Sequence, residues 1–429
     1  MNPMRALLSS IILSIAVCAS AQTLTIREAR ALALQHNHDL AKSAAQREQA
    51  QQQRLEARSH FFPRLDASAN GVLSTADDEF SLLGNTLGYD LHSLFSAGIS
   101  LQQPLFMGGK ILASYRMATL YRGIAEQQEL LTQTEVIVRT DEAYTQVVRA
   151  GEMVEVAEAY RQLLTELERQ VDAALRQGMA VRNDLLKVQV KGNEAELALT
   201  QANNALRLAR MNLCHVIGLP LDSLVTVSHD FAQPEMLLTQ ANLDERPEAI
   251  IMDQQLAITE QQVRIQRSEW LPQLALMGAF NYVKGGKVAG KTLFDKSYAA
   301  AGLSLSLPLF TGGERLHALR QAKAQKRIAA IEQTDVDEQL RLDFAQAANQ
   351  LDEAQLEVFI AQKSLDQAAE NLALTRRQYD VGLETLSELL DAQALWQECA
   401  AGVVDAKCQL LLANTRYLKA AGLLIPNEL

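Results

Sequence analysis

Hydrophobic and polar positions in this chain follow two periods, and each period occurs twice. Over residues 64–74, Leu65, Ala67 and Ala69 alternate with Asp66, Ser68 and Asn70. Over 298–309, Ala299, Ala301, Leu303, Leu305 and Leu307 alternate with Ala300, Gly302, Ser304 and Ser306. A period of two with one apolar and one small polar side predicts half-buried strands. Residues 97–109 read Ala-Gly-Ile-Ser-Leu-Gln-Gln-Pro-Leu-Phe-Met-Gly-Gly, and residues 301–313 read Ala-Gly-Leu-Ser-Leu-Ser-Leu-Pro-Leu-Phe-Thr-Gly-Gly, 204 positions later. With Gln273 to Tyr282, these runs predict two strand pairs, about 64–106 and 272–310, whose polar segments 75–95 and 283–297 read as loops.

Behind each Gly pair the period changes. Glu314 to Val381 contains neither Gly nor Pro, and at 1.5 Å per residue it predicts a helix of roughly 100 Å. Leu340, Phe344, Ala347, Leu351, Ala354, Val358, Ala361, Leu365, Ala368 and Leu372 alternate four and three apart, a heptad seam rather than a globular amphipathic face. Alanine at every seventh position lets a neighbouring helix come close. Lys110 to Gln177 is the first-half counterpart, with Gly123 and Gly151 as candidate bends.

Each long helix ends at a glycine tip, Gln177-Gly178-Met179 and Val381-Gly382-Leu383, and a return helix follows over about 183–216 and 385–421. Helix, glycine turn and helix make an antiparallel hairpin. The register persists: Gly178, Asp184, Gln189 and Gly218 stand 204 before Gly382, Glu388, Gln393 and Gly422. Upstream, Ser59 and Pro63 stand 209 before Ser268 and Pro272, so a five-residue difference falls in the strand-pair loops. The chain is two versions of one unit. Repeat 1 covers 22–218 (helix, strand pair, helical hairpin 110–217), and repeat 2 covers 247–429 (helix, strand pair, helical hairpin 314–421). Residues 219–246, with Pro220 and Pro234, read as a linker. Thr25 with Glu28 has the capping-box spacing for a first helix running to about Ser59.

Residues 1–21 read as an export signal: Arg5, an apolar run from Ala6 to Val17, and the small-residue site Ala19-Ser20-Ala21. Val17 makes Cys18 a poor fit to a lipidation site. No later stretch offers about 20 consecutive apolar residues, so membrane insertion, if it occurs, uses strands. The net charge of −11 argues against a nucleic-acid partner. Cys214, Cys399 and Cys408 are an odd set on helical patterns and read as small hydrophobes, not a disulfide framework. In His36-Asn37-His38-Asp39 the histidines stand two apart, so they do not share a helix face, and the stretch reads as solvated surface rather than a metal site.

Four amphipathic strands cannot close a barrel, and an open sheet edge cannot stand in lipid. Small barrels begin at about eight strands. The strands must therefore be shared, and three copies make twelve: a mixed fold of membrane β-barrel, apolar outside and wet inside, continued by a long α-helical coiled-coil barrel. At this point the chain resembles the TolC-like outer-membrane efflux proteins. The resemblance rests on the duplicated strand–Pro-Leu-Phe-x-Gly-Gly–helix, the two tip glycines, Asp184-Leu-Leu, and Glu388-Leu-Leu-Asp391-Ala-Gln, and covers the whole mature chain. It implies a homotrimer in the cell outer membrane with its helices in the periplasm. It also implies a periplasmic adaptor of the membrane fusion type and an inner-membrane pump of the resistance-nodulation-division or ABC type. The function implied is the exit duct of a tripartite efflux or type I secretion system.

Site residues follow from the same resemblance. Glu388 and Asp391, at i and i+3 on one face, match the carboxylate ring at the pore constriction. Tyr379 matches a periplasmic gate tyrosine, and Asp184 the aspartate that holds it. Glu384 stands where the family has a gate arginine, with Arg182, Arg376 and Arg377 the neighbouring cations. Gly178, Met179, Gly382 and Leu383 form the tips implied to dock the adaptor. The plain alternative for these acids is a solvated helix surface. A periplasmic coiled-coil adaptor would explain the hairpins and the signal, but not two strand pairs at equivalent points. An exported enzyme is disfavoured because no nucleophile–base arrangement, metal-ligand spacing or phosphate loop appears, and no cofactor is implied.

Overall fold

The computed structural model describes residues 23–73, 77–82, 85–228, 243–288 and 291–424. The expected export signal and residues 229–242 of the expected linker lie outside the described residues. In chain order the elements are β1 (Thr23–Leu24), α1 (Ile26–His36), α2 (His38–Ser59), β2 (Arg64–Leu73), β3 (Asp77–Leu82), β4 (Asn85–Met107), α3 (Lys110–Arg176), α4 (Arg182–Val216), β5 (Thr226–Val227), α5 (Pro247–Ser268), β6 (Gln273–Val288), β7 (Lys291–Ser306), α6 (Glu314–Asp380) and α7 (Leu386–Ala420). They form two units. One holds residues 1–41, 132–243 and 340–429; the other holds 42–131 and 244–339. α3 and α6 contribute to both.

The second unit contains one antiparallel sheet of order β2-β4-β6-β7. β2 and β3 both pair with β4, β2 against 93–102 and β3 against 85–90. The strand pairs are longer than the alternation predicts. The segments expected as loops, 75–95 and 283–297, contain β3, the start of β4, the end of β6 and the start of β7. The alternation continues there, with Phe80 and Leu82 in β3 and Leu87, Tyr89 and Leu91 in β4, but the acidic residues, glycines and lysines among them gave the segments the composition of loops. The return strand also ends early, at Ser306, before Pro308, which has no amide hydrogen for a ladder.

Register sorts the sheet faces. Ala67, Ile99, Phe280 and Ala299 stand in one row across the four strands, as do Leu65, Leu101, Gly278 and Ala301. The rows between carry the other side: Asp66, Ser100, Ala279 and Ala300; Ser68, Gly98, Asn281 and Tyr298; Asn70, Ser96, Val283 and Lys296. In these rows one face is apolar on every strand and the other is mostly small or polar, as the alternation predicts, while further along the first face carries Lys284 and Asp295. Ile99, Phe280, Leu303 and Leu305 are exposed on this single chain.

The helices beside the sheet are held by local contacts. α2 reaches α3 through Arg54 and Tyr115 (3.0 Å) and through Arg47 and Glu129 (3.2 Å). α6 reaches α5 through Lys326 and Glu260 (2.6 Å). α3 runs unbroken through Gly123, where an added Cβ would stand 2.7–3.0 Å from the Gln254 side chain. That glycine serves close helix approach instead of ending the helix.

The first unit is helical. The capping box of α1 forms as its spacing predicts: Glu28 N–H donates to Thr25 Oγ1 (3.3 Å) and Thr25 N–H to Glu28 Oε2 (2.8 Å). The first helix is two helices, however, divided at Asn37. Asn37 Nδ2 donates to the Val216 carbonyl (2.8 Å), and its Oδ1 accepts from Asp39 N–H (2.8 Å). Asp39 accepts from Arg139 (2.8 Å). His36 and His38 are exposed as expected, but Asn37 and Asp39 are structural. The linker also carries order: β5 pairs in parallel with β1, and the Tyr144 hydroxyl lies between the carbonyls of Leu24 (3.1 Å) and Ser228 (2.9 Å).

The heptad seam is real within the chain. Leu340, Ala347, Leu351, Ala354 and Ala368 are buried, and Ala354 clusters with Leu351 and Ala413. Cys214 and Cys408 are buried and Cys399 half-buried. Burial, with Asp405 second, pushes the Cys408 thiol up to about 11, so it remains a neutral small hydrophobe.

Candidate pore entrance at the helix tips

Both long helices end in the same way. Gly178 N–H donates to the Leu175 carbonyl (3.0 Å) and Met179 N–H to Ala174 (2.9 Å); Gly382 N–H donates to Tyr379 (3.0 Å) and Leu383 N–H to Gln378 (2.8 Å). This is the Schellman pattern, which needs a left-handed residue after the helix. Gly178 and Gly382 supply it at φ 73° and 77°. The turns leave Met179 and Val181, and Val381 and Leu383, exposed by 61–77%. Apolar side chains held outward on tight turns are a contact surface without a partner in the single chain.

Behind the tips lies a core drawn from both hairpins. Leu164, Leu167 and Val171 of α3, Val188 of α4, and Leu386, Leu389 and Leu390 of α7 are buried together, with Leu372 and Tyr379 of α6 packed on them. Tyr379 is thus half-buried at the end of α6. Its phenol ionises above its usual range, because of burial first and the Asp184 charge second. No hydrogen bond joins Tyr379 to Asp184 among the described residues, so the two stand in electrostatic reach without being latched.

Glu388 and Asp391 are exposed on α7, one turn apart. Thr385 caps α7, accepting from Glu388 N–H (3.3 Å). Thr385-x-x-Glu388 is itself a capping-box spelling, a structural role that the resemblance did not suggest. Unlike Glu28, Glu388 does not return the bond: among the described residues its carboxylate has no hydrogen-bond or ion-pair partner. The cap therefore places Glu388 on the first turn and leaves its charge available. α4 has Val181 at the matching position and no side-chain cap.

Two lysines of the first repeat approach the acids. A groove between α4 and α7 is lined by Lys187, Val190 and Lys191 on one side and Ser387, Leu390 and Asp391 on the other. Lys187 Nζ donates to Ser387 Oγ (3.4 Å). The Lys191 ammonium is held above its usual range, chiefly by Glu194 at 2.8 Å, with Asp391 a smaller contributor. Lys187 is the repeat counterpart of Asp391, since 391 − 187 = 204. Periodicity within each repeat did not bring these residues together.

Among the described residues no arginine acts on the Tyr379 phenol, whose charged neighbours are Asp184 and Asp380. Arg376 acts on Glu166, whose carboxyl is held low first by Arg169. Arg182 and Arg377 are exposed, and among the described residues their side chains have no partner. Glu384 is half-buried, two residues past Gly382.

A family model described as outer membrane efflux protein matches residues 29–219 and 238–423. The alkaline protease secretion protein AprF of Pseudomonas aeruginosa is 25% identical over 407 residues, spanning 92% of this chain and 83% of that protein. The outer membrane efflux protein BepC of Brucella suis is 25% identical over 353 residues, spanning 81% and 76%. Among solved structures, the outer membrane protein VceC from Vibrio cholerae superposes with a TM-score of 0.76 at 19% identity, covering 92% of this chain and 96% of that one. The expected fold, outer-membrane location and exit-channel function agree with these likenesses. Because the family match runs through both repeats, from α1 to the end of α7, this chain belongs to the outer membrane efflux protein family.

Proposed function

We propose that three copies of this outer-membrane exit channel join their sheets into one twelve-stranded barrel and their helices into one duct. The observation that carries the reading is the sheet itself, four strands wide because β2 and β3 pair with successive stretches of β4. One of its faces is apolar in the rows of Leu65 and Ala67 and on to Leu303 and Leu305, and β7 and the β2 side have no further strand among the described residues. In lipid those edge amides and carbonyls would be unsatisfied at several kcal/mol each. Pairing the β2 edge of one copy with the β7 edge of the next satisfies them. The polar rows with Asp66, Asn70 and Lys296 then face the lumen.

The exposed tips at Met179, Val181, Val381 and Leu383 are the docking surface for a periplasmic adaptor, which connects the duct to an inner-membrane pump of the resistance-nodulation-division or ABC type. Tyr379 and Asp184 form the periplasmic gate. Glu388 and Asp391 of each copy form the constriction, modified here by Lys187 and Lys191. AprF is named for protease secretion and BepC for efflux, and this duct serves one of those two kinds of cargo. Native mass spectrometry of detergent-extracted protein tests the assembly. Three-chain particles are expected, and a folded monomer that retains the sheet would exclude edge-to-edge closure.

A further inference from the structure

Where β4 hands over to α3, the sheet-bearing unit builds another polar site. Gly108 and Gly109 turn at φ 62° and 86°. A Cβ on Gly108 would lie 2.7 Å from the Ser268 carbonyl oxygen and 3.0 Å from Leu271 Cβ, so the turn sits directly against the end of α5. A cavity of about 270 Å³ opens beside it, walled by the two glycines, Arg116 of α3, and Gln261, Arg264 and Arg267 of α5. The α5 residues are spaced three apart and share one face.

The charge in this cavity is unbalanced. Among the described residues, none of the three guanidinium groups has a hydrogen-bond or ion-pair partner. The neighbouring carboxylates are engaged elsewhere, Glu260 with Lys326 and Glu269 with Lys110, both at 2.6 Å. The first turn of α3 adds unsatisfied amides and the positive end of a 67-residue helix. A second feature is independent of the cations. Gln261 is 7% exposed, and its Oε1 has no hydrogen-bond partner. A buried acceptor without a donor is uncommon in a folded chain.

We propose that this cavity holds the head group of a membrane phospholipid, with Arg116, Arg264 and Arg267 on its phosphate and Gln261 Oε1 accepting from its ammonium. A phosphate diester beside a primary amine satisfies both features at once, since guanidinium forks match phosphate oxygens and the ammonium is a charged donor to the amide oxygen. Phosphoethanolamine has that donor, and phosphocholine does not. Location selects a lipid over a soluble phosphate. The cavity lies just past the last apolar rows of the sheet, where Phe106 stands level with Leu274 and Leu305. The helices of this outer-membrane channel extend into the periplasm, so this end of the sheet meets the periplasmic leaflet. Leu112, exposed beside the arginines, receives the start of the acyl region. Basic pockets at a membrane rim recognise head groups in this way.

The test is native mass spectrometry of the assembled protein in detergent with dioleoyl phosphatidylethanolamine, dioleoyl phosphatidylcholine or glycerol phosphate added in turn. Wild type should retain phosphatidylethanolamine about tenfold more than phosphatidylcholine, and excess glycerol phosphate should not displace it. The double variant R264Q/R267Q should lose both lipids by about tenfold. Q261L should keep phosphate binding while equalising the two lipids. Equal retention of both lipids by wild type, displacement by glycerol phosphate, or unchanged retention in the double variant would each overturn the proposal. The wild-type comparisons decide the matter even if a variant fails to assemble.

Discussion

The Thr415 hydroxyl donates to Asp141 Oδ2 across 2.7 Å, joining α7 to α3 over a sequence separation of 274 residues. The same carboxylate takes both donors of Arg30, Nε at 2.7 Å and Nη2 at 2.6 Å. Asp141 has no exposed surface, and the Arg30 side chain is 12% exposed. One carboxylate thus ties the short first helix and the first long helix to the last helix of the second repeat. Breaking a buried pair by removing one partner costs about 3–5 kcal/mol. D141A should therefore lower the thermal midpoint strongly. T415V removes one neutral donor and should cost about 1–2 kcal/mol. Calorimetry of both variants checks the ranking; a D141A protein that melts with wild type would show that the network contributes nothing to stability.

The seam gives a second prediction. Ala354 is 6% exposed and packed among Leu351, Ala413, Leu410 and Tyr417. A354L forces four heavy atoms' worth of side chain into that contact in place of one, at about 1–3 kcal/mol. Ala361 is only half-buried, so A361L should cost less. Thermal unfolding of the two variants should separate in that order. Equal melting points would mean that the seam tolerates bulk and that the buried alanine is not packing-limited.

The contrast between seam and tips shows what a sequence of this kind displays. The long helices, glycine turns and sheet faces were legible because each rests on a repeated local pattern: heptads at Leu340 to Leu372, a left-handed residue at Gly178 and Gly382, and alternation at Ala299 to Leu307. The break at Asn37 was not, since it depends on the carbonyl of Val216, 179 residues away. Nor were the strand extensions, because the alternation of Phe80 and Leu82 and of Leu87, Tyr89 and Leu91 is masked by the acidic residues and glycines among them. At the entrance, the positions of Glu388 and Asp391 were available from repeat register and resemblance. The approach of Lys187 and Lys191 was not, because it arises only when α4 and α7 pack side by side.

The gate reading predicts leakage on weakening Tyr379 and Asp184. Burial and the nearby carboxylate keep the phenol neutral, so Tyr379 retains an O–H that can donate when the tips close. Y379F with D184A removes both the donor and the acceptor. Planar-bilayer conductance should rise, and cells carrying the double variant should admit large antibiotics. With no arginine at Glu384, the wild-type gate holds fewer charged links, and the expected gain is correspondingly modest. Conductance equal to wild type in the double variant would place the latch elsewhere.

The last prediction concerns charge at the constriction. Glu388 and Asp391 share one exposed face of α7, and the Glu388 carboxylate is free of partners among the described residues. In three copies these residues would set six carboxylates around one axis, an arrangement that favours cations. Lys187 and Lys191 stand across the groove from Asp391, and their positive charge offsets the field of that acid. Removing the acids and removing the lysines should therefore move selectivity in opposite directions. E388A/D391A should lower the cation-to-anion permeability ratio and abolish block by a trivalent cation added from the periplasmic side. K187Q/K191Q should raise the ratio and tighten the block. The lysine effect should fall away at high ionic strength, since exposed charges are screened beyond about 10 Å at 0.1 M salt. Reversal potentials in a salt gradient, measured at two ionic strengths, read both arms. If the acid variant keeps the wild-type ratio, the carboxylates are only solvated helix surface. If the acid variant shifts and the lysine variant does not, the constriction is acidic but the groove between α4 and α7 has no part in its selectivity.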